Sequence, residues 1–463
     1  MKFYNRTEEL RLIREAMERD YCFFVITGRR RVGKTRLIRE ALRGKDHLEL
    51  FIPRKRATLA LDQVSSMISD QTGYSPRFSD MRDMVQYILT LDKVVFIDEI
   101  SNLQHVDPGA FSDLQEFIDR EKEKRNVCLL VDGSYVGIMK KVFQSRKEPL
   151  FGRATNNLEL KPLNVVHSIK MLMDGSLSFK DSLEAYSIFG GIPRYLELIR
   201  EYPSMEDIIR DVFSPGSIFL TEGENLLIQE FGASWDTYFS IMEVISRGKY
   251  GPTSIANQLG MEVQMLPKYL ETLRELGLIE RMRPIFGKPR HVHYCIADPF
   301  FQSWFRLCYP NLGLLKDGRV RVSSENFRSE IGGGMERVVQ DLLFAADSLP
   351  FQPDEIGSWW DRSGNEVDIL LYSKKDKKIA AGEVKWRERL AGIDVVKRLM
   401  SNLDMIDWHN GRRKEFPFII SKSGFTDAAM RLIRENGIFA FGLKEIEEAL
   451  TKSIPLEWKK EEE

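Results

Sequence analysis

The sequence predicts a multidomain α/β protein, and three observations carry that prediction. Over roughly the first 165 residues, short β-branched and aromatic runs alternate with helically spaced segments, as in a three-layer α/β domain. Near residue 231 the pattern changes to three helical segments followed by two strand-like pieces around a Gly/Pro turn. Late in the chain, two apolar runs bracket a lysine-rich turn in EVDILLYSKKDKKIAAGEVKW, with acids at their outer ends. A chain of 463 residues is too long for one ordinary core. The expected units are 1–165, a helical segment 166–230, 231–310 and 311–463.

The bulk numbers narrow the function classes. Hydrophobic content of 43% with 30% charged residues describes a folded chain, and a formal net charge of -1 leaves no global attraction to nucleic acid or anionic lipid. Binding of either must come from local patches. Cys22, Cys128, Cys295 and Cys308 lie among apolar neighbours without metal-ligand spacing, so they read as core residues in a reducing compartment. No apolar run approaches the ~20 residues of a membrane span, and MKFYNRTEEL has no apolar signal core. The reading is cytoplasmic with no membrane partner, and KKEEE at the end reads as a solvated tail.

The first unit opens with YCFFVITG, a strand running into GRRRVGKT and then the helical spacing of KTRLIREAL. Gly28, Arg29, Arg30, Arg31, Val32, Gly33, Lys34, Thr35 and Arg36 thus form a GxxxxGK[ST] phosphate loop in the strand–loop–helix context it requires. Glycines let the backbone wrap a phosphate chain, a helix N-terminus aims N–H groups at it, Lys34 reaches the terminal phosphates, and the Thr35 hydroxyl completes a Mg²⁺ shell. KVVFIDEI and NVCLLVDGS are continuous apolar strands of the kind buried on both faces of a parallel sheet. At the end of the former, Asp98 can hold Mg²⁺ and Glu99 can orient or deprotonate an attacking water. The expected cofactors are ATP and Mg²⁺.

Three weaker candidates accompany the loop. Ser134, ending NVCLLVDGS, can hydrogen-bond a γ-phosphate or the water, or simply cap its strand. Arg153 in LFGRATN can stabilise transition-state charge in its own or a neighbouring subunit, and reads almost equally as a surface arginine. Arg194 in GGIPRYL is a weaker candidate for a contact from the helical segment.

In the third unit, TYFSIMEVISRG, PTSIANQLG and VQMLPKYLETLRELGLIE are helices, and RMRPIFGKPRHVHYCIAD is a hairpin. That order is the layout of a winged helix-turn-helix. The third helix carries Lys268 and Arg274 but also Glu271 and Glu275, so base reading in a major groove is not supported. Arg281, Arg283, Lys288, Arg290, His291 and His293 make the wing the richer side for DNA phosphates. Protein packing is the competing use of such a module.

For the late hairpin the register can be counted. A midpoint between Lys375 and Asp376 sets Asp368 opposite Glu383, and residues opposite or two apart on a strand share a face. Asp368, Glu383 and Lys385 then form a D…ExK set: two carboxylates for a second Mg²⁺ or Mn²⁺ and a lysine to position water or stabilise charge at phosphorus. Glu336, in the preceding GGGMERVVQ helix, could complete the metal shell. A hairpin in which Lys385 merely balances two acids fits the same residues.

Together, GRRRVGKT, VVFIDEI, DGSYVGIM, FGRAT, GGIPRYL, the three helices with their hairpin, and GSWWDRSGNEVDIL…GEVKW resemble a predominantly archaeal P-loop ATPase family of the STAND/AAA-related group. The resemblance implies a P-loop NTPase domain with helical lid, a winged helix, and a C-terminal restriction-endonuclease-like α/β domain. It implies ATP hydrolysis, with Lys34, Thr35, Asp98 and Glu99 at the nucleotide and Asp368, Glu383 and Lys385 at a nuclease-like signature. The Pro-Asp that often precedes the metal acid of such nucleases is Glu366-Val367 here, so nuclease activity does not follow from the resemblance. DNA, a protein partner or further copies of the chain are the partners it suggests.

Overall fold

The computed structural model describes residues 3–123, 126–248, 250–287, 292–345, 348–452 and 456–458. Two compact units emerge, one of residues 1–163 with Ile192–Arg194, the other of residues 164–191 and 195–463.

The first unit is built on five parallel strands, β1 (Tyr21–Thr27), β2 (His47–Phe51), β3 (Val94–Asp98), β4 (Val127–Gly133) and β5 (Asn156–Glu159), in the order β2-β3-β4-β1-β5. β1 and β4 are buried almost throughout because helices cover both faces. Phe23, Val25, Leu129 and Val131 face a core shared with the helices Ala57–Thr72, Met81–Leu89, Ala110–Glu121 and Val136–Gln144. The helices Thr7–Met17 and Lys34–Ala41 pack on one another, the former also on β1 and the latter on β4. Two strands escaped the sequence reading. β2 (HLELF) buries only alternate residues, and β5 (NNLE) is short and polar, a strand by virtue of its pairing with β1. Neither shows the continuous apolar run used to find the others.

The second unit begins with the helices Val165–Met173, Phe179–Phe189, Pro193–Ile199, Met205–Asp211 and Ile218–Phe231, Pro193 and Arg194 of the third folding with the first unit. Three more helices, Trp235–Ser246, Pro252–Leu259 and Leu266–Glu275, precede an antiparallel pair, β6 (Ile279–Met282) and β7 (His293–Ile296). Lys288, Arg290 and His291, expected in this wing, lie outside the described residues, as does the KKEEE tail.

A mixed sheet ends the chain: β8 (Glu355–Trp360), β9 (Glu366–Ser373), β10 (Lys378–Lys385), β11 (Lys414–Ser421) and β12 (Phe439–Phe441), in the order β12-β11-β10-β9-β8. β8, β9 and β10 are antiparallel neighbours, while β10, β11 and β12 run parallel. Gly382 in β10 has no room for a side chain, since a Cβ would lie 2.1 Å from the Phe418 ring. Gly382→Val should therefore lose roughly 1–3 kcal/mol or more by overpacking, read as a lower urea midpoint with unchanged slope.

Part of the β6–β7 hairpin packs on the C-terminal sheet, the use that competes with DNA contact for such a module. Ile285 is 3% exposed within the core of the C-terminal sheet, and its amide donates to the Ser358 carbonyl at 3.0 Å. Phe286 stacks on Trp408 at 5.1 Å, and His293 stacks on Trp360 at 5.1 Å. Arg283 is tied to Glu355 at 3.0 Å, leaving Arg281 as an exposed cation of β6. Ile285 and Phe286 thus pack on the C-terminal sheet, while Arg281 and Arg283 stay exposed. Helix Phe179–Phe189 is likewise bound to this sheet: Glu184 accepts from the Trp386 indole at 2.9 Å and pairs with Lys422 at 2.7 Å.

Candidate functional site

The phosphate loop leaves β1 at Gly28, whose φ of 153° and whose packing against the Leu160 carbonyl, 2.6 Å from where a Cβ would sit, both require glycine. Gly33, at φ 97°, then opens the helix Lys34–Ala41. Val32 is buried beneath the loop. Lys34 is only 5% exposed, and its ammonium donates to the Gly28 carbonyl and the Ser134 hydroxyl, both at 3.0 Å. Burial pushes its pKa below the usual lysine value, opposed by the carboxylates of Asp132, Glu99 and Asp98.

Strand order brings the acids to the loop. β4 stands between β1 and β3, so the ends of all three strands meet on one edge of the sheet. The Thr35 hydroxyl donates to Asp98 at 3.3 Å. Glu99 leaves β3 in the left-handed region, φ 56° and ψ 43°, at a cost of roughly 1–3 kcal/mol for a residue with a side chain. Its carboxylate accepts from the Ser134 amide at 3.0 Å, from the Ser134 hydroxyl, and from the Ser101 hydroxyl at 3.3 Å. Ser134 thus bridges Lys34 and Glu99.

The residues present fit a Mg²⁺–nucleotide. A lysine and glycine-rich backbone face the phosphate position, and a threonine hydroxyl beside an aspartate supplies hard oxygen ligands. Arg29, Arg30, Arg31 and Arg36 flank this loop; Arg31 adopts φ 69°, and Arg36 lies over the Phe3 ring at 5.6 Å.

Sequence reasoning overlooked Asp132. It is fully buried in β4, and Oδ1 accepts the Glu99 amide at 3.1 Å. Burial and the Asp98 carboxylate push its pKa well above the usual range, with Lys34 opposing. The available signal was an acid ending an apolar strand in VCLLVDG, the pattern that marked Asp98.

Arg153 is not brought to this site. Its carbonyl accepts from the Tyr21 hydroxyl at the start of β1, and its guanidinium pairs with Asp119 at 3.1 Å. The phosphate loop follows the other end of that strand, roughly 20 Å away at 3.3 Å per residue. Action on its own nucleotide is thereby corrected. Arg194 is exposed and folds with the first unit.

The late hairpin adopts the counted register, with Lys378 opposite Ser373 and Gly382 opposite Ile369. Asp368 accepts the Val384 amide at 2.8 Å and lies 3.4 Å from the Lys385 ammonium. Glu383 is 1% exposed and pairs with Lys385 at 2.5 Å and Arg398 at 3.2 Å. Burial, then Asp368, raises its pKa, while Lys385 and Arg398 pull it down. Arg398 was unforeseen because it comes from the helix Ile393–Met405. Among the described residues no group of three or more His, Cys, Asp or Glu side chains is placed to hold a metal, so Glu336 does not join Asp368 and Glu383.

A parallel α/β domain with these loop and strand-end residues defines a P-loop ATPase. Comparison with known proteins agrees: residues 3–199 match a family model described as an ATPase domain predominantly from Archaea. Residues 304–398 match one described as Archaea bacterial proteins of unknown function. The chain is 30% identical over 395 residues to the uncharacterized protein MJECL04 of Methanocaldococcus jannaschii, spanning 83% of this chain and 88% of that one. It belongs to this archaeal P-loop ATPase family. The Walker-type ATPase paby2304 of Pyrococcus abyssi shares the fold at 19% identity, TM-score 0.51, covering 66% of this chain and 96% of that structure. No helix among the described residues is long and apolar enough to cross a membrane.

Proposed function

We propose that the chain hydrolyses ATP with Mg²⁺ and couples nucleotide state to the binding or processing of DNA. The observation that carries the reading is the linked set Lys34, Ser134 and Glu99 beside Thr35 and Asp98. Lys34 would hold the terminal phosphate, Thr35 and Asp98 would hold the metal, which would neutralise phosphate charge, and Glu99 would accept a proton from water aligned with Ser134. The finer division follows the sequence: a lid over 166–230, a winged helix over 231–310 and a nuclease-like unit over 311–463.

We assign DNA contact in the C-terminal unit to the rim beyond Lys385, since Ile285 and Phe286 of the wing engage the chain's own sheet. Arg387, Arg389, Lys397 and Arg398 are exposed there, while Glu388 and Asp394 dilute the charge. Duplex binding should weaken in Arg387→Ala/Arg389→Ala, and the slope of log affinity against log salt should fall by about 1 per lost phosphate contact. An unchanged slope removes DNA from this rim. Lys34→Ala should lose ATP binding and turnover, measured by fluorescent-nucleotide titration and phosphate release; retained turnover refutes the nucleotide site.

A second reading, a STAND-like nucleotide switch whose nuclease-like unit is a binding module, is favoured by one observation. Lys385 and Arg398 already balance the Glu383 carboxylate. Plasmid nicking with Mg²⁺ or Mn²⁺ that Asp368→Ala stops separates the two, the switch predicting none. A homo-oligomer or protein partner belongs to both readings.

A further inference from the structure

We infer that Asp132 is a positioning residue for ATP hydrolysis, holding the backbone of Glu99 so that its carboxylate meets the attacking water. This rests on the reading of Glu99 above. Backbone pairing of β3 with β4 ends at Ile97 opposite Val131, so the Glu99 amide emerges beyond the ladder. The amide there has no partner in the strand ladder, and Asp132 Oδ1 accepts from it at 3.1 Å. That same peptide begins a residue at φ 56°, a conformation that persists only where its surroundings over-determine it.

The surroundings do so from both ends. Ser134, two residues beyond Asp132 on the same chain segment, holds the Glu99 carboxylate through its amide and hydroxyl. Between them Gly133 packs closely on Met139 and Ser101, 2.5 Å and 3.1 Å from where a Cβ would sit. Asp132-Gly133-Ser134 therefore grips Glu99 at main chain and side chain together. Asp132 Oδ2 makes no hydrogen bond among the described residues, while Oδ1 accepts the Glu99 amide.

The test compares Asp132→Ala with Asp132→Asn, which keeps an acceptor oxygen at the same place. Asp132→Ala should lower kcat roughly ten- to a hundredfold, with ATP affinity held within about twofold, because a displaced Glu99 costs chemistry and not binding. Asp132→Asn should recover most of the turnover. Combined with Glu99→Gln, Asp132→Ala should add little further loss. Undiminished kcat in Asp132→Ala overturns the proposal, as does an Asp132→Asn variant equally slow while its thermal midpoint and ATP affinity are normal. If Asp132→Ala does not fold, a full additive loss of Asp132→Asn upon Glu99→Gln has the same force. Normal turnover in Glu99→Gln alone instead removes the reading on which the proposal stands.

Discussion

Glu99→Gln is expected to bind ATP much as the native chain does and to turn it over about 10²–10⁴-fold more slowly, the usual worth of a positioned general base. Glutamine keeps an oxygen for the Ser134 amide at 3.0 Å, so the local geometry survives. What it loses is a lone pair able to take the water's proton, and the negative charge that orients that water. Lys34, Thr35 and Asp98, assigned above to the phosphates and metal, are untouched. Phosphate release and nucleotide titration measured on one preparation separate the two effects. Retained turnover would show that another group activates water.

Lys385→Ala should lower stability by about 3 kcal/mol, because it leaves Glu383 buried with Asp368 beside it and Arg398 as the remaining cation. The pH dependence has a definite sign. Glu383 already titrates above the usual glutamate range through burial and Asp368, and removing the lysine raises it further. A folded state that holds a proton more tightly than the unfolded one gains stability as pH falls through that window and loses it as pH rises. The deficit of the variant should therefore be widest at alkaline pH and shrink as pH falls through the raised range of Glu383. Added Mn²⁺ should raise the thermal midpoint of Lys385→Ala if the two carboxylates can take a cation. A midpoint indifferent to Mn²⁺ favours the binding-module reading.

These two centres differ in how they could be read. Gly28 to Thr35 and Asp98-Glu99 were legible because phosphate binding demands fixed spacing within a few residues, flanked by elements of plain hydrophobic pattern. The hairpin register was legible for a similar reason, since a short turn leaves little freedom in pairing. Arg398 was not, being some fifteen residues from its partner and joined to it only when its helix packs on the sheet. Nor was Asp132, whose role depends on β4 lying beside β3. The packing of the wing on the sheet was not legible either, because its cations are conspicuous in sequence while Ile285 and Phe286 look like ordinary turn residues.

By itself, then, the sequence determined the phosphate loop, the acidic strand end, the succession of helices before β6 and the facing of Asp368 with Glu383. Each of these follows from backbone periodicity and local steric rules. Tertiary structure alone decided that Ser134 and Asp132 converge on Glu99, that Arg153 stays at the far end of β1, that Glu336 does not cluster with the hairpin acids, and that Ile285 enters the core of the C-terminal sheet. Those outcomes depend on which strands become neighbours and which apolar surfaces find one another, and burial over long separations is set by the whole chain.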